Sequence, residues 1–236
     1  MRALAIVHQR DAGPGVFAEA TRERGVGLDT WLIAEDADPP GEPAGYDAVI
    51  AFGGAMHVDH EDSHPWLAVE KRLLGELHER GMPLLGVCLG AQLLSAAVGG
   101  SPARATEPEI GWPEVEVTEE GAADPVIGPL APRFDAFEWH SYEAGPPDGA
   151  AVLAVSPVCV QAYRVGQTAW GIQFHAEVTA ADAAHWIRHY DTDEDAVRIG
   201  LDPEAFAAET RDRIDAWNHL GRALCTRFLE TVGGRS

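Results

Sequence analysis

Cationic side chains are scarce in this sequence of 236 residues. Lys and Arg number 17 against 38 Asp and Glu, giving a formal net charge of −21. A surface of that sign repels phosphate backbones and anionic lipid, which argues against nucleic-acid and membrane partners. Cysteine is scarce too. Cys88, Cys159 and Cys225 lie far apart and are odd in number, so neither a disulfide framework nor a zinc spacing is visible. No apolar run approaches the length that crosses a bilayer. The N-terminus passes straight into Ala3-Leu4-Ala5-Ile6-Val7, with no long apolar region before a cleavage site. A cytoplasmic location is the expectation. Apolar residues are plentiful at 46%, enough for a substantial core.

The apolar runs predict strands at 3–8, 28–33 and 47–52, with helices at about 15–24 and from Pro65 onward. In the second helix Trp66, Val69, Leu73 and Leu77 recur at helical spacing and predict its buried face. A strand before Cys88 and a helix ending at Gly99-Gly100 follow. Apolar strands alternating with helices predict an α/β fold: a mostly parallel central sheet with helices on both faces. Beyond Gly100, strand candidates at 114–118, 133–139, 151–155, 158–164 and 169–174 predict a smaller antiparallel or mixed region. A helix at 180–190, an acidic solvated connector at 191–195 and a helical tail from Pro203 to Val232 complete the chain. In the tail, Ile214, Trp217, Leu224 and Phe228 mark a face that packs back on the core, while Trp31, Trp66 and Trp170 read as core residues. One domain over 1–236, with a helical extension at about 191–236, is the expected organisation.

The chemistry centres on Leu84-Leu85-Gly86-Val87-Cys88-Leu89-Gly90-Ala91-Gln92. It reads as a strand, a very tight turn and a helix, with Cys88 at the apex and glycines two residues away on either side. That is the pattern of a nucleophile elbow. The tip residue is forced into an unfavourable backbone region, and its crowded neighbours must lack bulk. Free N–H groups at the helix start favour negative charge on the sulfur, and the N–H of Leu89 is available to an oxyanion. Gly53-Gly54 ends an earlier strand. In a parallel sheet both features fall on the edge where chemistry is done.

A catalytic thiol needs a base, and the base needs an orienting partner. His175 ends an apolar strand, and Glu177 lies two residues on, pointing the same way in an extended chain. Spacing alone does not separate that pair from a strand-end His that caps a loop. His57, His60 and His64, with their acidic neighbours, match no zinc signature and read as an exposed loop. Glu138-Trp139-His140-Ser141-Tyr142 is either a pocket wall or an ordinary strand end.

Taken together, the elbow at Cys88, Gly53-Gly54, Glu109-Ile110-Gly111-Trp112, Trp139-His140 and Gly171-Ile172-Gln173-Phe174-His175-Ala176-Glu177 resemble the class I glutamine amidotransferases. The likeness is nearest to stand-alone proteins similar to the glutaminase portion of GMP synthase, and it covers roughly residues 1–190. It implies a flavodoxin-like fold and a Cys-His-Glu triad at Cys88, His175 and Glu177. It implies an oxyanion hole from the N–H groups of Gly54 and Leu89. Gln92 and the backbone around Ser141 and Tyr142, with Gly53 and His140 nearby, would hold the amino-acid end of glutamine. No metal or organic cofactor is implied. Ala176 stands where the family usually has Pro, as does Ala55.

The activity implied is hydrolysis of the glutamine side-chain amide through a γ-glutamyl thioester, with release of ammonia. The roughly 60 residues after Glu177 are too few for an ATP-using synthase, so a separate ammonia-consuming synthase subunit is one expectation. Action on a γ-glutamyl amine or peptide is an alternative. A non-catalytic regulatory subunit on the same scaffold is a third.

Overall fold

The computed structural model describes residues 1–233. In chain order its elements are β1 (Arg2–Val7), α1 (Gly15–Glu23), β2 (Gly27–Leu32), β3 (Ala48–Ala51), α2 (Trp66–Glu79), β4 (Leu84–Val87), α3 (Leu89–Ala97), β5 (Ala103–Gly111), β6 (Glu114–Val117) and α4 (Glu119–Ala122). Then come β7 (Arg133–Asp135), β8 (Glu138–Glu143), β9 (Ala151–Val155), β10 (Val160–Val165), β11 (Ala169–Ile172), α5 (Ala180–Arg188), α6 (Glu194–Arg198) and α7 (Pro203–Gly233). The main sheet runs β2-β1-β3-β4-β11-β10-β9-β6-β7. Strands from β2 to β11 pair in parallel, and from β11 to β7 the pairing is antiparallel. β5 and β8 form a separate antiparallel pair.

Strand alternation builds two apolar layers. In β1, Ala3, Ala5 and Val7 join the layer with α1 and α7, while Leu4 and Ile6 face Leu67, Leu74 and Leu93 of α2 and α3. β1, β3, β4 and β11, buried on both faces, therefore read as apolar runs, while the edge strand β2 carries Asp29 and Thr30. Among the described residues no helix is long and apolar enough to cross a membrane.

Four expectations need correction. The buried face of α2 consists of Leu67, Glu70, Leu74 and Leu77, and Val69 is exposed. One position on that face is a buried acid, so a search for apolar spacing settles one residue out of phase. Trp66, on the same misread face, is only half-buried and packs against the edge of the core. The run at 133–139 breaks at Ala136-Phe137 into β7, on the edge of the main sheet, and β8, paired with β5. β5 itself is half-exposed and has no apolar alternation to mark it, since one of its two buried positions is Glu109. The acidic connector is not a solvated loop: Asp193 caps α6 by accepting from the N–H groups of Asp195 and Ala196, and Asp195 is buried.

The tail folds as expected, with Ile214, Trp217, Leu224 and Phe228 buried. It also grips the segment after β11. The Trp217 indole donates to the His175 carbonyl at 2.8 Å and the Asn218 amide to that of Val178 at 2.6 Å. Between them Gly221 lies so close that a Cβ would stand 2.0 Å from the carbonyl oxygen of Ala176. Glycine to alanine in a helix ordinarily stabilises by about 1 kcal/mol. Here Gly221→Ala should instead destabilise by about 1–3 kcal/mol through overpacking, measured as a lower midpoint in urea.

Candidate active site

Cys88 is the only described non-glycine residue with positive φ, at φ 50° and ψ −111°. Such a conformation costs about 1–3 kcal/mol and persists only where its surroundings enforce it. Here the flanking glycines do so. A Cβ on Gly86 would stand 2.6 Å from the Gly90 carbonyl oxygen, and one on Gly90 2.1 Å from that of Ala51. Only with both side chains absent can α3 start directly against the ends of β3 and β4. The Cys88 N–H donates to Ile172 at 2.8 Å and the Gly90 N–H to Phe52 at 3.0 Å. Among the described residues the N–H groups of Leu89 and Gly54 have no protein acceptor.

Parallel pairing sets Val87 beside Ile172, so the chain leaving β11 passes next to the elbow. Three residues on, His175 is buried, and its Nδ1 lies 2.8 Å from Glu177 Oε1. A Cβ on Gly53 would stand 2.8 Å from His175 Cε1 and 3.6 Å from Cys88 Cβ, so the ring and the thiol flank one glycine. Burial opposes charge on His175. The Glu177 carboxylate and the nearby sulfur of Cys88 outweigh it and hold the imidazole pKa well above its ordinary value. The Glu177 carbonyl accepts from the Val16 N–H at 2.8 Å, and Gly15, at φ 45°, leaves room for that approach. Trp186 packs edge-on against the His175 ring.

A cavity of about 680 Å³ opens at this edge; Gly54, Cys88, Ser141 and His175 are among its lining. Gly53, Leu89, Gln92, His140 and Tyr142 lie outside that lining. Gln92 is buried and donates to the Tyr142 carbonyl at 3.0 Å. His140 is buried behind the wall: its Nδ1 is 2.9 Å from the same carbonyl, and its Nε2 lies 3.3 Å from Glu109 and 3.4 Å from Glu138. Burial opposes its charge, but the two carboxylates and the sulfur of Cys88 raise its pKa to about 10.

His57 and His60 line the cavity, and His57 stacks on Tyr142 with ring centroids 4.3 Å apart. His64 packs instead against Trp66. The donor atoms of Glu109, His140 and Cys159 lie close enough together to hold a metal ion. Glu109 Oε2, however, already accepts from Gln161 at 2.7 Å and Ser156 at 3.0 Å, and burial pushes the Cys159 thiol far up. The donor set behaves as a hydrogen-bonded charge cluster.

Sequence reasoning reached Trp139, in a stretch readable as a pocket wall, and missed the rest of the outer wall. Trp139, Trp186, Asp193, Asp195 and Arg198 line the cavity as well. The Trp139 indole donates to Asp193 at 2.8 Å, and Arg104 bridges both oxygens of Asp195 at 2.7 Å. Burial raises the Asp195 pKa, but Ser141, Arg198 and Arg104 overcome it and bring the value to about 2. No spacing signal links residue 104 to 195; only the fold does.

The family model for class I glutamine amidotransferases matches residues 15–189. The chain belongs to that family. A crystal structure of a Thermotoga maritima glutamine amidotransferase superposes with a TM-score of 0.87 at 28% identity, covering 98% of each chain. That superposition takes in α7, so the helical tail lies beyond the family model but within this shared architecture. One subunit of the glutamine-hydrolysing GMP synthase of Sulfurisphaera tokodaii is 38% identical over 136 residues, 56% of this chain and 68% of that one. A gamma-glutamyl-L-1-hydroxyisopropylamide hydrolase of a Pseudomonas species is 30% identical over 152 residues, 61% of this chain and 51% of that one.

The raised His140 value has a consequence for this amidotransferase-family chain. A pKa lifted from 6.5 to about 10 on folding contributes stability that is full below about pH 6.5 and is lost as pH rises through 10. The stability margin of the wild type over His140→Gln should therefore shrink steadily between pH 7 and pH 10. Urea unfolding at several pH values checks this; a margin that does not change with pH would contradict it.

Proposed function

We propose that this chain is a cysteine-dependent amidase that hydrolyses the side-chain amide of glutamine. The observation that carries the reading is the buried His175–Glu177 pair set beside the strained Cys88 at the mouth of a cavity. Cys88 Sγ attacks the γ-carbonyl carbon. The carbonyl oxygen becomes an oxyanion received by the free N–H groups of Gly54 and Leu89. His175 carries the proton at that stage, in keeping with its raised pKa, and passes it to the departing nitrogen. Ammonia leaves and a γ-glutamyl thioester remains on Cys88. Water then attacks the thioester carbon, His175 takes its proton, and the C–S bond breaks to release glutamate. Glu177 holds the ring with Nδ1–H toward itself, which leaves Nε2 for the transfers.

Gln92, His140 and Tyr142 act through the wall. Two donors on the Tyr142 carbonyl fix the backbone at Ser141-Tyr142, where the α-amino and α-carboxylate groups of the substrate would bind. The likeness to one component of a GMP synthase supports a further step, delivery of ammonia to a separate synthase subunit.

A second reading rests on the size of the cavity. About 680 Å³ is in the range of pockets that enclose a whole drug-sized ligand, more than a leaving ammonia needs. A γ-glutamyl amide of a larger amine would react through the same thioester and fill the outer wall. The similarity to a γ-glutamylamide hydrolase supports it.

Glutamate release from glutamine and from a series of γ-glutamyl alkylamides tests both. In the first reading kcat/KM is highest for glutamine; in the second it rises with the size of the amine. Cys88→Ala should lower every rate by more than about 10³-fold, and Glu177→Gln by about 10²-fold or more. A folded Cys88→Ala variant with full activity would end both readings.

A further inference from the structure

A second buried histidine touches the oxyanion site from behind. His8, just past β1, is 2% exposed, and Glu70 of α2 is fully buried. His8 Nδ1 lies 3.0 Å from the Gly53 carbonyl oxygen and Nε2 lies 2.8 Å from Glu70 Oε2. Both ring nitrogens face acceptors, so the ring donates on both sides as an imidazolium. The other oxygen of Glu70 has no partner among the described residues, which leaves His8 as the one group the carboxylate holds. Trp66 stacks on the ring at 5.2 Å and 15°, fixing its plane.

The consequence lies in peptide geometry. A trans peptide is planar, and its C=O and N–H point in opposite directions. The Gly53–Gly54 bond is trans, since the cis peptide among the described residues is at Ala131-Pro132. The Gly53 carbonyl is drawn toward His8, so the Gly54 N–H of the same unit is turned away from it. Gly54 lines the cavity with Cys88. With two glycines side by side, this peptide has little intrinsic preference for one orientation over its flip.

We propose that His8, held by Glu70 and Trp66, is a positioning residue that aims the Gly54 N–H at the developing oxyanion. The proposal rests on the acyl-transfer reading of Cys88 given above. A buried ion pair is weak evidence for stability, since its desolvation is costly. What it supplies here is the direction of one peptide.

Two matched variants in a Glu70→Gln background test it. The amide introduced by Glu70→Gln can donate to Nε2 of His8 and leave Nδ1–H on the Gly53 carbonyl, so this change alone should stay within about threefold of the wild type. Adding His8→Asn puts an amide nitrogen near the position of Nδ1 and keeps the donor. Adding His8→Gln puts it near Nε2, where it meets the new amide at position 70 and leaves the carbonyl free. Glutamine hydrolysis should keep most of its kcat in the Asn variant. It should lose about tenfold to a hundredfold in the Gln variant with KM little changed, a fraction of the 10²–10³ lost when an oxyanion donor is removed outright.

Alkylation of Cys88 by iodoacetamide forms no oxyanion and should proceed at the same rate in all four proteins. Equal kcat in the two variants, alkylation that falls in step with kcat, or a Gln variant that fails to fold where the Asn variant folds would each overturn the proposal. A wild type whose Cys88 alkylates normally but cleaves neither glutamine nor any γ-glutamyl amide would instead remove the reading on which it rests.

Discussion

The backbone of one residue sets the terms for everything around it. Cys88 must end a buried strand and begin a helix in a single step, and the geometry that allows this lies where residues with a Cβ rarely go. The strain is tolerable because α3 is locked against the sheet by Gly90, whose N–H donates to Phe52 and whose Cα lies against Ala51. Close approach of helix and sheet is thus the same fact as the placement of the thiol at the cavity. A side chain at either flanking glycine would push the helix away, and the elbow would relax.

Sheet order does the rest of the assembly. β11 begins only at residue 169, yet it pairs in register with β4, Gly171 beside Gly86. His175 then needs only three further residues to come beside Cys88. Those residues are held from both sides, by the Phe137 carbonyl accepting from the His175 N–H and by Trp217 of α7 donating to its carbonyl. The tail helix, which lies past the region matched by the family model, is therefore part of the frame of the candidate site: it clamps the segment that carries the imidazole and its carboxylate.

The inner parallel strands are legible in the sequence because they are apolar on both faces, and the elbow because steric need writes glycine at fixed offsets from Cys88. What escapes is polar. β5 is a half-exposed ribbon with Arg104 outside and an acid, Glu109, at one of its two buried positions, so no apolar period-two signal marks it. The face of α2 reads out of phase because Glu70 occupies a core position. The acids at 193 and 195 look like solvated charge and instead hold Trp139 and Arg104 on the cavity wall. The partners of Glu70, Asp193 and Asp195, namely His8, Trp139 and Arg104, lie more than fifty residues away, and pairing at such distances leaves no trace in local spacing.

Those hidden carboxylates share a pattern. Three buried imidazoles surround the elbow, and each is tied to acid: His8 to Glu70, His140 to Glu109 and Glu138, His175 to Glu177. A buried ion pair is weak evidence for stability, since its desolvation is costly, and what these three clusters share is geometric. Each imidazole touches something whose direction matters: the Gly53 carbonyl, the Tyr142 carbonyl, and the sulfur of Cys88. A histidine with one nitrogen fixed by a carboxylate has its ring plane and its remaining donor set. Used three times, that device fixes backbone and side-chain groups around one sulfur, as the acyl transfer proposed for this chain would require.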